Sequence, residues 1–347
     1  MILCDQMQLK VALTLEELSF VVKCPLQGHR GVAVQEAGIW DKEVAIYVTT
    51  LPTLTDLLGG DSVAPRLIAC GPGGQIVLQD MSTRGYKTVP RLVQLDYCHS
   101  VVAVQAVAKL HAASHVAMET GVGDVTLAGR EVLYCDRLEK EMTQHLAPVF
   151  ACLADELETW SGLEHYATKI RLLAANIFQH LKQAAKPSQH FNVLNHGDLW
   201  ANNIMFKHDK HGRPRKAKLV DFQTSRWTSP AHDLHYFIVS SMDHDSCTTK
   251  LDNFLEAYIL TLNQHLETMG SQKQLTMQIL EADLKRTAIY GLYVAASTVA
   301  TKMADENLDF DSCEGDSSPY LKAMKSIRYR EIMPGLLAYL EKYGVFD

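Results

Sequence analysis

The sequence predicts an α+β chain of two unequal lobes, a small mainly β lobe followed by a large mainly α one. Two observations carry this. Over the first residues apolar and polar positions alternate, with Met7, Leu9, Val11 and Leu13 the clearest run. From about Leu92 onward the apolar spacing turns helical and stays so to the end. At 347 residues the chain is long enough for one two-lobed unit with an ample core. Its 47% hydrophobic and 21% charged content is that of a globular protein, and a formal net charge of -7 disfavours nucleic acid or an anionic membrane as the main partner.

Taken in order, the first strand turns at Thr14-Leu15-Glu16-Glu17 into a second that runs from Leu18 to Lys23. A helix is expected around residues 35–50. Two further strands, near 66–69 and 75–78, are joined by Cys70-Gly71-Pro72-Gly73-Gly74. The division between lobes falls at residue 82, giving 1–82 and 83–347. Helices are expected over 92–117, 136–160, 165–185, 251–269, 275–303 and 320–343, with an acidic surface loop at 305–316. The longest uncharged run lies between Arg286 and Lys302, too short to cross a bilayer. Eight cysteines are scattered without a Cys-x-x-Cys pair, and the start has no basic region followed by an apolar run. Both point to a reducing, cytoplasmic setting.

Between the helical blocks lies His196-Gly197-Asp198-Leu199-Trp200-Ala201-Asn202-Asn203, followed by Leu219-Val220-Asp221-Phe222-Gln223. An Asp, an Asn five residues later and a second Asp on the next apolar segment match the needs of phosphoryl transfer. That chemistry asks for one carboxylate to orient the accepting hydroxyl and for oxygen ligands that hold Mg²⁺ against a triphosphate. Asp198 fits the first task; Asn203 and Asp221 fit the second, as hard ligands for a hard cation. The charged, turn-forming run from Lys207 to Ala217 reads as the hairpin that delivers Asp221. Interrupted by Gly212 and Pro214, it is a solvated hairpin rather than a nucleic-acid patch. The pairs His208/His211 and His232/His235 have metal-compatible spacing but no third ligand, so no zinc site is expected.

These motifs resemble the aminoglycoside phosphotransferase and choline kinase group, which has a protein kinase-like fold. They are most similar to the ecdysteroid kinase-like (CHK kinase-like) family, through His196 to Trp200, Asn202 to Phe206, Asp221 to Gln223 and Ser229 to Phe237. The resemblance implies a phosphotransferase that uses ATP and Mg²⁺ and acts on a small-molecule alcohol, such as an ecdysteroid. It implies that Lys23 contacts the α- and β-phosphates and that Glu43 pairs with it, with Glu36 and Asp41 close enough to compete. The backbone of Gln79, Asp80 and Met81 would bracket the adenine edge, the Asp80 side chain either tying the hinge or touching nucleotide. Asp198 would be the catalytic residue. His196, Trp200 and Asn202 would support its loop, and Asp233 would anchor that loop from the following helix. His111 and His115 are expected as satisfied core or groove histidines.

One departure stands out. The family places a strand, a phosphate-covering loop and a returning strand before the lysine. Here 22 residues precede Lys23 and none is glycine, so a small lobe truncated at its start and lacking that loop is expected. Two readings follow: a working kinase, or a catalytically weak pseudokinase or regulatory small-molecule-binding protein.

Overall fold

The computed structural model of the chain describes residues 4–13, 16–25, 37–72, 74–123, 125–304 and 319–347. Strands β1 (Cys4–Leu13) and β2 (Glu16–Pro25) pair antiparallel, with Gln6 opposite Lys23 and Leu9 opposite Phe20. On the other side of β2 lies β4 (Ile76–Gln79), and β3 (Leu67–Cys70) follows it, so the sheet runs β1-β2-β4-β3. Helix α1 covers residues 39–57 as Ile39–Ala45, a π-helical turn Ile46–Thr50 and Leu51–Leu57. Pro52 lacks the N–H that an α-helix would aim at the carbonyl of residue 48, which loosens the ladder where the π turn sits. The helix buries Ile46, Tyr47, Leu51 and Leu54 and so fixes the position of Glu43 one turn earlier.

The chain leaves the sheet through a capped turn. Asp80 accepts a hydrogen bond from Ser82 N at 2.8 Å and opens the short 3₁₀ turn Met81–Arg84. Strand β5 (Tyr86–Thr88) then pairs with β7 (Ile204–His208), which pairs with β8 (Pro214–Leu219). The β7–β8 hairpin is the one expected from the charged run, and the Asp209 carboxylate closes its turn by accepting the His211 and Arg213 N–H groups. A two-stranded ribbon, β6 (Val193–Asn195) with β9 (Arg226–Thr228), brackets the two motif loops.

Around these strands pack α2 (Tyr97–Thr120), α3 (Thr126–Gly129), α4 (Glu139–Glu158), α5 (Glu164–Ala174), α6 (Ile177–Ala184) and α7 (Ala231–Ser241). They are followed by α8 (His244–Thr249), α9 (Leu251–Thr268), α10 (residues 277–303, with a π turn Ala295–Val299), α11 (Pro319–Met324) and α12 (Ile327–Lys342). Every residue of α7 is buried. Among the described residues α2 alone is long and apolar enough to cross a membrane, and most of it is buried in the core. The architecture is therefore the expected small sheet lobe followed by a large helical lobe.

The helix expected over 92–117 runs Tyr97–Thr120, the one expected to end near 50 runs on to Leu57, and two others are split. Residues 165–185 form two helices with a break at Ala175-Asn176. Residues 320–343 also split, because Ser326 caps α12 by accepting from Tyr329 N at 3.2 Å. Apolar spacing runs through both breaks, so periodicity alone does not show them. The expected helix start at 35–36 and the acidic stretch 305–316 lie outside the described residues.

The loop after β6 crosses the segment after Asp221 at close range. Gly197 has φ 84°, and a Cβ there would lie 2.1 Å from the Thr224 carbonyl oxygen. Gly197→Ala is expected to cost about 2–4 kcal/mol, from backbone strain plus overpacking. Urea denaturation measures it, and an unchanged midpoint would contradict this crossing.

Candidate active site

Among the described side chains of β2 Lys23 is the buried one, only 2% exposed. A buried ammonium needs partners, and it has two carboxylates. Nζ lies 2.5 Å from Glu43 Oε1 and 3.2 Å from Asp221 Oδ1. Of the acids that could compete for it, Asp41 is exposed and Glu36 lies outside the described residues. Burial pushes the Glu43 carboxyl up, against the pull of Lys23 and of the Phe222 N–H. Asp221 has φ 73°, the only left-handed non-glycine among the described residues. Such strain persists where the surroundings hold it, and here Lys23 grips the side chain from the other lobe.

The loop after β6 is anchored from below by Asp233 on α7, whose side chain is fully buried. Its Oδ2 accepts from His196 N at 2.6 Å and its Oδ1 from Gly197 N at 2.9 Å. His111 on α2 contacts Oδ2 at 3.1 Å, and its other ring nitrogen meets Tyr258 Oη at 2.8 Å. Burial alone would raise Asp233, yet the hydrogen bonds from His111 and the Gly197 N–H hold it below the usual carboxylate range. His196 reaches across to the Val220 carbonyl at 2.9 Å, which ties this loop to the residue before Asp221.

Asp198 is thereby held with its carboxylate half-buried and doubly bonded. Asn203 Nδ2 donates to Oδ2 at 3.0 Å and to the Asp198 carbonyl at 2.9 Å. Tyr236 Oη donates to Oδ1 and contacts Thr298 Oγ1 at 3.0 Å. Tyr290 Oη adds a bond to the Gly197 carbonyl at 3.1 Å. Burial, and then the charge of Asp221, push Asp198 above its ordinary 3.8. The structure thus brings together Lys23, Glu43, Asp198, Asn203 and Asp221 from four separate stretches of sequence.

The hinge residues are arranged differently. The Asp80 side chain is taken up by Ser19 Oγ at 2.6 Å and by its own cap, so it ties the hinge to β2. Gln79 N donates to the Arg66 carbonyl at 2.9 Å. Gln79 and Met81 line a cleft of about 820 Å³ with Tyr47, Leu51, Arg66 and Lys218, and neither Lys23 nor Asp221 lines it. Tyr236 and Thr298 are site residues the sequence reading missed. Tyr236 had a local signal, since it stands three residues after Asp233 on one helix face. Thr298 had none; it arrives from α10, at the π turn.

The family whose profile the chain matches indicates the class, a small-molecule phosphotransferase of the kinase-like kind. The chain belongs to the ecdysteroid kinase-like family, whose sequence profile matches residues 5–271. Among solved structures it is similar to a choline kinase from Cryptosporidium parvum Iowa II at 12% identity and a TM-score of 0.49, covering 99% of this chain and 91% of that one. It is also similar to a choline/ethanolamine kinase family protein from Mesorhizobium loti at 15% identity and a TM-score of 0.43, covering 96% and 92%. A third is the ethanolamine kinase of Plasmodium vivax, at 10% identity and a TM-score of 0.43, covering 96% and 78%. A search of curated proteins found no match.

The Tyr236 bond makes a prediction with a definite sign. If Asp198 takes the proton in a transfer reaction it must be ionised, so activity would be present above its raised pKa and lost as pH falls through it. The Tyr236 bond opposes that rise. Tyr236→Phe should therefore lower kcat by about tenfold, the worth of one charge-assisted hydrogen bond, and move the acid limb of the pH–rate profile to higher pH. An unmoved limb would contradict the assignment.

Proposed function

We propose that the chain transfers the γ-phosphoryl group of ATP, with Mg²⁺, to the hydroxyl of a small-molecule alcohol, and that the alcohol is an ecdysteroid. The observation that carries this is the joining of two sets of groups. Lys23 sits between Glu43 and Asp221, while Asp198 is fixed by Asn203 and Tyr236 close enough to feel the Asp221 charge.

In this reading Lys23 turns part of its charge to the α- and β-phosphates while Glu43 keeps it in place. With the Gln79 N–H taken by Arg66, the remaining backbone groups of the hinge from Gln79 to Met81 would meet the adenine edge, and Asp80 stiffens it. Asp198 accepts the proton of the substrate hydroxyl as its oxygen attacks phosphorus. Tyr236 and Asn203 hold the two carboxylate oxygens so that one geometry is ready before substrate arrives. Asn203 and Asp221 fit a hard cation. The Asn203 amide nitrogen is spent on Asp198, which leaves its oxygen as the outward donor, and Asp221 carries a carboxylate on a backbone held out of the ordinary range. When bound there, Mg²⁺ would neutralise charge on the phosphates.

Family membership and the wall around Asp198 support this choice of acceptor. Trp200, Tyr293 and Thr298 are half-buried there, and the buried Arg226 guanidinium acts on Tyr293 from behind. Positive charge behind an aromatic wall disfavours a cationic alcohol and suits an uncharged, largely apolar one. Residues 1–82 serve as the nucleotide lobe and 83–347 as the acceptor lobe in this proposal. A reducing, cytoplasmic setting is proposed with it, supported by six described cysteines that are all free thiols.

Asp198→Asn should reduce transfer by about a thousandfold while circular dichroism shows an unchanged fold. Turnover at the wild-type rate would remove Asp198 from the mechanism. Asp221→Asn should abolish Mg²⁺-dependent nucleotide binding, and undiminished binding would count against its metal role.

A further inference from the structure

A second cavity, of about 380 Å³, opens behind β9 and takes no part in the reaction just described. Arg226, Tyr134 and Glu131 form its inner wall, and Lys182, Lys186 and Trp227 stand toward solvent. Arg226 is 2% exposed, and its guanidinium lies over the Tyr134 and Tyr290 rings at 5.0 and 5.6 Å. Nε and Nη2 reach the Thr224 carbonyl only at 3.4 Å, and Nη1 has no hydrogen-bond partner among the described residues. The nearest carboxylate oxygen, Glu131 Oε2, stands 3.4 Å from Nη1, while Oε1 is taken by the Leu133 and Tyr134 N–H groups.

The same Glu131 must serve a second buried cation. Lys42 is fully buried on α1 and donates to the carbonyls of Ser225 and of Arg130, the latter at 2.9 Å. Burial, and then the nearby Arg226, bring Lys42 down to about 7, with Glu131 only partly offsetting them. Two buried cations thus share one carboxylate, with Lys186 adding positive charge at the mouth. With Lys42 protonated, such a cluster holds more positive than negative charge.

We infer that this cavity binds a small organic anion, its phosphate or carboxylate group on Arg226 and Lys186 and its apolar body against Trp227 and Tyr134.

The test is calorimetric titration of the full chain with phenyl phosphate, benzoate and inorganic phosphate as probes. Saturable binding of phenyl phosphate, tighter than inorganic phosphate and undisturbed by saturating ATP or by Asp221→Asn, is the expected result. Benzoate binding at the same site identifies a general oxyanion site; its failure restricts the site to phosphates. Arg226→Gln should weaken binding by about tenfold or more, the worth of a charge-assisted bond. Because Arg226 is buried, the exposed Lys186→Ala provides a second variant that should fold normally and bind several-fold more weakly. No saturable binding of either organic probe, displacement by ATP, equal affinity for inorganic phosphate, or indifference to Lys186→Ala in a folded protein would each overturn the inference.

Discussion

The buried ammonium of Lys23 is the interaction on which the rest of the site depends. Taking such a charge out of water costs several kcal/mol unless carboxylates meet it, and two do. Glu43 comes from the helix of the small lobe and Asp221 from the loop after β8. One cation therefore sets the distance between the sheet, α1 and the large lobe. The left-handed backbone of Asp221 is the local strain that this arrangement sustains. Remove the lysine and two carboxylates would face each other in a buried space, with nothing to hold the strained residue in place.

A second constraint works from the opposite side. Asp233 spends both carboxylate oxygens on the backbone of His196 and Gly197, and His111 completes its shell. Since α7 is buried along its whole length, the loop after β6 rests on an element that has no room to shift. His196 then joins this loop to Val220, and Asn203 accepts the Val220 N–H through its carbonyl at 3.0 Å. The two motif loops are locked to each other before any substrate is present. Such preorganisation is what positioning catalysis requires.

Much of this was legible in the sequence because the chemistry is concentrated in two short motifs. Asp198, Asn203 and Asp221 stand in fixed local spacing, and the charged run between them announced the hairpin. Lys23 was legible only as the polar end of an apolar strand, and Glu43 only as one of three acids near it. What decided between Asp41 and Glu43 was the helix face, since Asp41 points to solvent while Glu43 is buried. Asp80 was read with its role open, and the fold commits its side chain to Ser19 and Ser82. Thr298 was out of reach, because nothing near it in the chain records that α10 will pass Tyr236. The helix breaks at 175–176 and before α12 were hidden by apolar spacing that continues across them, although Ser326 was a capping residue in plain view.

The central claim is that Lys23, Glu43 and Asp221 are set for a metal-bound triphosphate. Calorimetric titration of ATP into the purified chain, with and without Mg²⁺, addresses it most directly. The account predicts saturable one-to-one binding that depends on Mg²⁺ and is lost in Lys23→Met, a variant that keeps the stem volume but not the charge. Absence of binding at millimolar ATP with Mg²⁺, or binding indifferent to both the metal and the lysine, would contradict it.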